Sequence, residues 1–192
     1  MAEVQKETFD TNIAIGEYGT QFFHFNAVSK KFEYALPLVS GGEYGGDTET
    51  FDAPEMDLDY VAKISGRTSL NDVELTSNYT KDRYARWLEI LNNKEAQSYL
   101  EVYADGSASA YSGTAGRPTI TGGDVRQINV TIAPENLIWI ADVNNVDEET
   151  FTQLKDMLGL DASWSANYKI PFDETTIPNK RVQFFEGTDS AV

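Results

Sequence analysis

The chain reads as a mainly β protein, a sandwich or barrel decorated by two short helices. Three observations predict this. Short apolar-polar alternations of strand length recur along the sequence, and Gly, Asn and Asp turn signals separate them. Aromatic residues reach 12% and are interspersed with Val, Ile and Thr, the residues that fit a pleated surface. At 192 residues the chain is long enough for one domain with a sizeable core and projecting arms.

Residues 1–19 are polar and punctuated by glycine, and are expected to form an N-terminal arm. Gln21–Val28 and Phe32–Val39 read as paired strands joined by a short turn at Ser29-Lys30-Lys31, with Pro37 marking the second as an edge or ending it. Residues 40–59 hold Gly41, Gly42, Gly45, Gly46 and Pro54 and little apolar periodicity, so they are read as a long acidic loop. Strand patterns return at Tyr60–Ile64 and Leu70–Leu75.

Tyr84, Trp87, Leu88 and Leu91 follow helical spacing, which predicts a helix over about 80–92 with Thr80 or Asn78 as its cap. Strands are expected at Ser98–Tyr103 and Ser107–Tyr111, turned by Asp105-Gly106. Gln127–Ile132 alternates, and Leu137–Val143 reads as a second, fully buried strand. A second helix over about 147–158 has Asp147 as N-cap, Glu148 and Glu149 in its first turn, Phe151, Leu154 and Leu158 on its face, and Gly159 as C-cap. Residues 144–192 are taken together as a C-terminal extension or arm, with one or two strands in 162–186.

Charge narrows the function classes. There are 31 acidic and 15 basic residues, a formal net of -16. Nucleic-acid grip rests on clustered cations, so a surface of this sign repels DNA and suits either solubility or a wall past which DNA slides. Zero cysteines exclude disulfides, thiolate metal sites and a cysteine nucleophile, and suit a reducing cytoplasm. No run approaches the roughly 18–20 apolar residues of a membrane helix, and MAEVQKETFDTN lacks the basic start and apolar core of a secretory signal.

No catalytic constellation emerges. His24, the one histidine, lies in an aromatic strand and reads as a packed or interfacial side chain. The paired glycines lack the lysine and Ser/Thr of a phosphate loop. Asp142 to Asp147 offers oxygen donors without calcium-loop spacing. The expectation is a non-enzyme without cofactor or metal.

On composition alone the charge run reads as a solvated acidic loop. Its sharper reading, and the candidate site, is a loop that meets a basic partner surface or lines a negative channel. Between Lys31 and Lys63 there is no cation, while Glu33, Glu43, Asp47, Glu49, Asp52, Glu55, Asp57 and Asp59 supply eight carboxylates. Basic residues gather at Lys63 and Arg67 and around the first helix at Lys81, Arg83, Arg86 and Lys94. Such segregation lets copies of one chain meet head to tail, acidic loop on basic patch, and heterologous contacts of that kind generate rings and stacks. A rival reading makes Tyr18, Tyr44, Tyr99, Tyr103, Tyr111 and Trp164 a stacking platform on a monomeric acidic β-sandwich that binds carbohydrate.

The middle of the chain has a recognisable order. An acidic, Gly-containing loop leads to a strand, followed by Gly66-Arg67, Asn71-Asp72-Val73-Glu74-Leu75 and Thr76-Ser77-Asn78-Tyr79 directly before a helix. Then come a strand, Ala104-Asp105-Gly106, a strand ending near Tyr111-Ser112-Gly113, and Asp124-Val125 entering an alternating strand. From Gly41 to Val143 this order resembles the tail tube (major tail) proteins of long, non-contractile-tailed phages; the segment after Asp147 departs from the shortest members. The resemblance implies one tail-tube domain over 1–192, a sandwich or barrel with a flanking helix, stacked helically as hexameric rings. In such a tube the inner strands close around a negatively lined lumen, and the 40–59 loop and terminal arms touch neighbouring rings. It further implies a tail of a virion assembled in the host cytoplasm. The implied partners are copies of itself, tape measure protein and DNA in the lumen, and tail terminator and distal tail proteins at the ends, with no membrane. A tube protein of a contractile tail or secretion apparatus shares that architecture.

Overall fold

The structure, a computed structural model, describes residues 20–53, 62–91, 95–160 and 168–177, with side chains for all of these except 52–53 and 62–68. The first half runs β1 (Gln21–Asn26), β2 (Lys31–Leu36), β3 (Gly46–Ala53), β4 (Ala62–Leu70), β5 (Val73–Asn78) and α1 (Lys81–Ile90). The second half runs β6 (Gln97–Val102), β7 (Ala108–Ala115), β8 (Thr119–Thr121), β9 (Gln127–Ile140), α2 (Glu148–Leu158) and a 3-10 turn at Glu174–Thr176. Six strands lie in the order β2-β1-β6-β7-β9-β5, with β8 added against β9, and every pair is antiparallel. β3 and β4 pair only with each other, as a separate two-stranded ribbon. The mainly β fold is therefore as expected; the large sheet curls without closing into a barrel.

Strand alternation gives the large sheet two buried faces. Phe23, Leu100, Ala110 and Ile138 sit in register across β1, β6, β7 and β9. They belong to one core with Phe25, Phe32, Val102, Ala108 and Ile140, closed by Val143, Val146, Phe151, Leu154 and Ile170. The other face carries Phe22, Tyr99 and Tyr111, which pack with Val73, Leu75, Ile128, Val130 and Ile132 under Trp87 and Ile90 of α1. Residues 143–158 and 168–177 thus supply the cover of the first core.

A bulge decides which face β9 serves. Ser112 pairs with Asn136 but Gly113 pairs with Pro134, so β9 carries one extra residue, Glu135. Before the bulge its even-numbered residues, Ile128, Val130 and Ile132, face the α1 core. After it the even-numbered Ile138 and Ile140 face the α2 core. The sequence reading gave two strands here, Gln127–Ile132 and Leu137–Val143; the structure joins them through Pro134, since a proline fits where the ladder is already broken. Leu137–Val143 is also not fully buried. Trp139, between two core isoleucines, is 65% exposed.

Both helices start where a side chain meets an orphan backbone donor. Thr80 Oγ1 accepts from the Arg83 N–H at 3.1 Å, and Asp147 Oδ1 accepts from the Thr150 N–H at 2.9 Å. Gly159 ends α2 in the left-handed region at φ 63°, a conformation that other residues resist. On α1 the spacing misassigned one position: Leu88 is 38% exposed and Ile90 is buried instead. Trp87 is fully buried and donates its indole N–H to Ser77 Oγ at 3.2 Å, fixing α1 on β5. On the other side Arg86 bridges Glu33 of β2 at 3.4 Å and Glu89 at 2.8 Å. His24 stands opposite Glu33 in the ladder, its Nε2 3.0 Å from Gln97 Oε1.

Two outcomes test this description. A Cβ on Gly113 meets the Ala133 backbone oxygen at 2.3 Å, so Gly113→Ala is expected to cost about 1–3 kcal/mol in denaturant unfolding, since a backbone atom cannot step aside. Burial holds the His24 pKa below its ordinary 6.5, against the raising effect of the Gln97 hydrogen bond. The unfolded chain therefore takes this proton at a higher pH than the folded one. Stability falls as pH drops below about 6.5 and is untouched by this group above it. The difference in unfolding free energy between pH 7.5 and 5.5 is expected to shrink in His24→Gln; an unchanged difference removes His24 from the account.

Candidate functional site

Surface chemistry concentrates where hydrogen bonding is incomplete. Residues 39–45 run beside β5: the Val39 N–H donates to the Thr76 carbonyl at 2.7 Å, and Ser40 bridges Thr76. The Asn71 N–H then donates to the Gly45 carbonyl at 3.1 Å, one step from the first ribbon pair, Gly46 with Leu70. From that base the ribbon extends through Asp52 with Lys63 to Ala53 with Ala62. Among the described residues neither outer edge of the ribbon pairs with another strand. A two-stranded ribbon is marginal alone in water, and open edges invite further strands.

The large sheet offers a second open edge. β5 pairs with β9 only from Gln127 to Ile132, while β7 takes the opposite edge from Ile132 to Ile140. Beyond Ile132 the edge of β9 on the β5 side has no strand partner among the described residues. Trp139, 65% exposed, stands on this stretch, and Phe51, 57% exposed, stands on the ribbon. Trp139 was recoverable from the sequence as the outward position between Ile138 and Ile140; Phe51 was masked by its acidic surroundings.

The predicted charged residues divide differently from their sequence order. Glu43, Asp47 and Glu49 are exposed, Glu43 ahead of the ribbon and the other two on β3. The stretch 40–59, read as a loop, thus contains a strand from Gly46 to Ala53, because antiparallel pairing with β4 satisfies its backbone. Asp52 on β3 is the register partner of Lys63 on β4, and Arg67 lies on β4 beside Thr68, the partner of Thr48. Folding the hairpin therefore brings Lys63 and Arg67 alongside the acidic strand. On α1, Lys81 is exposed, Arg83 donates to the Asn78 carbonyl at 3.2 Å, and Arg86 is held by Glu33 and Glu89. Glu55, Asp57, Asp59 and Lys94 lie outside the described residues.

The supposed aromatic platform is interior. Tyr99 and Tyr111 are fully buried, with ring centroids 5.5 Å apart, and Tyr44 lies 5.4 Å from Tyr111. Burial pushes the hydroxyl pKa values of Tyr44, Tyr99 and Tyr111 up. Tyr103 joins the group through Ser109, 3.0 Å from its hydroxyl. These rings converge as the sequence reading supposed, but around Glu101, where no sugar can stack. Tyr18 and Trp164 lie outside the described residues.

Other candidate groups serve the backbone. Asp142 Oδ1 accepts from the Asn144 N–H at 2.8 Å and Asp147 caps α2. No group of three or more metal-ligating side chains occurs among the described residues. None of the described helices is long and apolar enough to cross a membrane.

No family model matches the chain, and no curated protein matches it. Solved structures do. A chain of the anti-feeding prophage (AFP) baseplate, a 6-fold symmetrised structure, is similar at 7% identity with a TM-score of 0.54, over 68% of this chain and 97% of its own. A chain from the tail of an empty GTA particle, refined with C6 symmetry, is similar at 13% identity with a TM-score of 0.53, over 67% of this chain and 100% of its own. At such identities the likeness is one of fold: this chain has a tail-tube-like fold, spanning nearly the whole of both matched chains.

Proposed function

We propose that the protein is a structural subunit of a phage-type tail tube, stacking as hexameric rings into a hollow, negatively lined conduit through which DNA passes. The observation that carries the reading is the pair of open edges, on the β3–β4 ribbon and on β9 beyond Ile132, each with an exposed aromatic side chain. An open edge on one copy and an open ribbon on the next satisfy each other, and repetition about an axis closes a ring. The two matched chains come from particles described with six-fold and C6 symmetry, which supports that count. A net charge of -16 supports a wall that does not hold phosphate. Between rings, exposed Asp47 and Glu49 of one copy meet Lys81 and Arg83 of another, while Glu43 rims the same contact. By the sequence resemblance the tail is long and non-contractile, with tape measure protein in the lumen and terminator and distal tail proteins at its ends.

A second reading draws on the baseplate match. A component of a baseplate, contractile tail or secretion apparatus uses the same edges but ends after one or a few rings.

Electron microscopy of the purified full chain at rising concentration is expected to show rings or tubes with a stained central hole. Single rings that never stack favour the second reading, and a monomer at every concentration and salt contradicts both. The inter-ring contact has its own test. Lys81→Glu alone is expected to raise the concentration needed for stacking roughly two- to fivefold, the scale of an exposed ion pair, and adding Glu49→Lys to restore it. A double variant no better than the single one rules out this pairing.

A further inference from the structure

The ribbon is attached to the body through a buried carboxyl group. Glu101 of β6 is 1% exposed and lies on the α1 face of the sheet, in register with Phe22 and Ser109. Its Oε1 accepts from the Tyr111 hydroxyl at 3.3 Å and from the Gly42 N–H at 3.4 Å. The backbone above it comes down closely. A Cβ on Gly41 stands 2.6 Å from Glu101 Oε2, and one on Gly42 stands 2.2 Å from Val73 Cγ1. Glycine at both positions is thus a matter of space. Two residues further, Tyr44 packs on Tyr111 over the same carboxyl, and the next residue, Gly45, accepts the Asn71 N–H that closes the ribbon base.

We propose that Glu101 is the positioning residue of the ribbon. By holding the strap from Gly41 to Tyr44 against the sheet, it sets the direction in which β3 and β4 leave the body and therefore how they meet a second copy. The last clause rests on the ribbon being an assembly surface; the first does not. A buried carboxyl is a poor source of stability, and an apolar group of similar size often replaces one at no loss. What an apolar group cannot do is accept the Gly42 N–H and the Tyr111 O–H; the second loss is felt in the body at β7, and the first loosens the strap and ribbon beyond it.

The test is amide hydrogen exchange on the full chain, diluted until light scattering reports a monomer. Glu101→Gln keeps an acceptor at Oε1, and its ribbon amides, 46–53 and 62–70, are expected to exchange as in the parent. Glu101→Leu is expected to speed ribbon exchange about tenfold, the scale of one buried hydrogen bond, and β6 and β7 exchange by less. Gly41→Ala keeps the Glu101 side chain but drives a methyl against its carboxyl, and so parts strap from carboxyl whichever of them moves. It is expected to do the same and decides the matter where Glu101→Leu fails to fold. Equal acceleration in β6, β7 and ribbon, or no acceleration anywhere, overturns the proposal. Electron microscopy of the same proteins separates the two claims. Absence of tubes in the parent contradicts the proposed function and leaves the exchange result standing. Normal tubes from a variant with a loosened ribbon overturn the link between strap and assembly.

Discussion

Glu135, the one extra residue in β9, governs the shape of the molecule. Without it the even-numbered apolar residues of β9 would all face one side, and β9 would serve only one of the two cores. With it, Ile128 to Ile132 close the core under α1, and Ile138 and Ile140 close the core under α2. The same break separates the half of β9 that β5 covers from the half that β5 does not reach. An edge left open at that point is a backbone constraint that water can satisfy only in the isolated chain.

The ribbon is the complementary piece. Its two strands satisfy one another inwardly and, among the described residues, leave their outer edges open; its base is tied to the body through Asn71 and Gly45 and the strap over Glu101. Electrostatics acts on this arrangement second. Copies carrying a net charge of -16 repel at a distance, but at physiological salt that repulsion fades within about 8 Å. In the proposed assembly, strand pairing and burial of Phe51 and Trp139 would operate at contact, inside that range. Charge in that assembly would then set which contacts are tolerated and disfavour the holding of DNA.

Local chemistry was readable from the sequence where it depends on neighbours in the chain. Thr80, Asp147 and Gly159 cap helices because each acts on backbone groups a few residues away, and the alternation in Gln127–Ile132 gave its core face correctly. Pairing across long separations was not readable. The acidic run at 40–59 looked structureless because its apolar content is low, yet pairing with β4 makes eight of its residues a strand. Lys63 and Arg67 looked like part of a basic cluster until the hairpin set them alongside β3. Tyr44, Tyr99, Tyr103 and Tyr111 were grouped by type, and only the sheet register shows that they surround a buried glutamate. Neither Glu101 nor the open edge of β9 leaves a signal in composition, since both arise from which strand stops short of which.

The central claim, that the open edges of one copy are completed by another around a hole, is tested most directly by a density map of the assembled particle. The account predicts six copies about an axis, a lumen free of protein side chains, and continuous strand spacing of about 4.8 Å across each boundary between copies. A map in which the ribbon folds back onto its own sheet, or in which protein fills the axis, contradicts it.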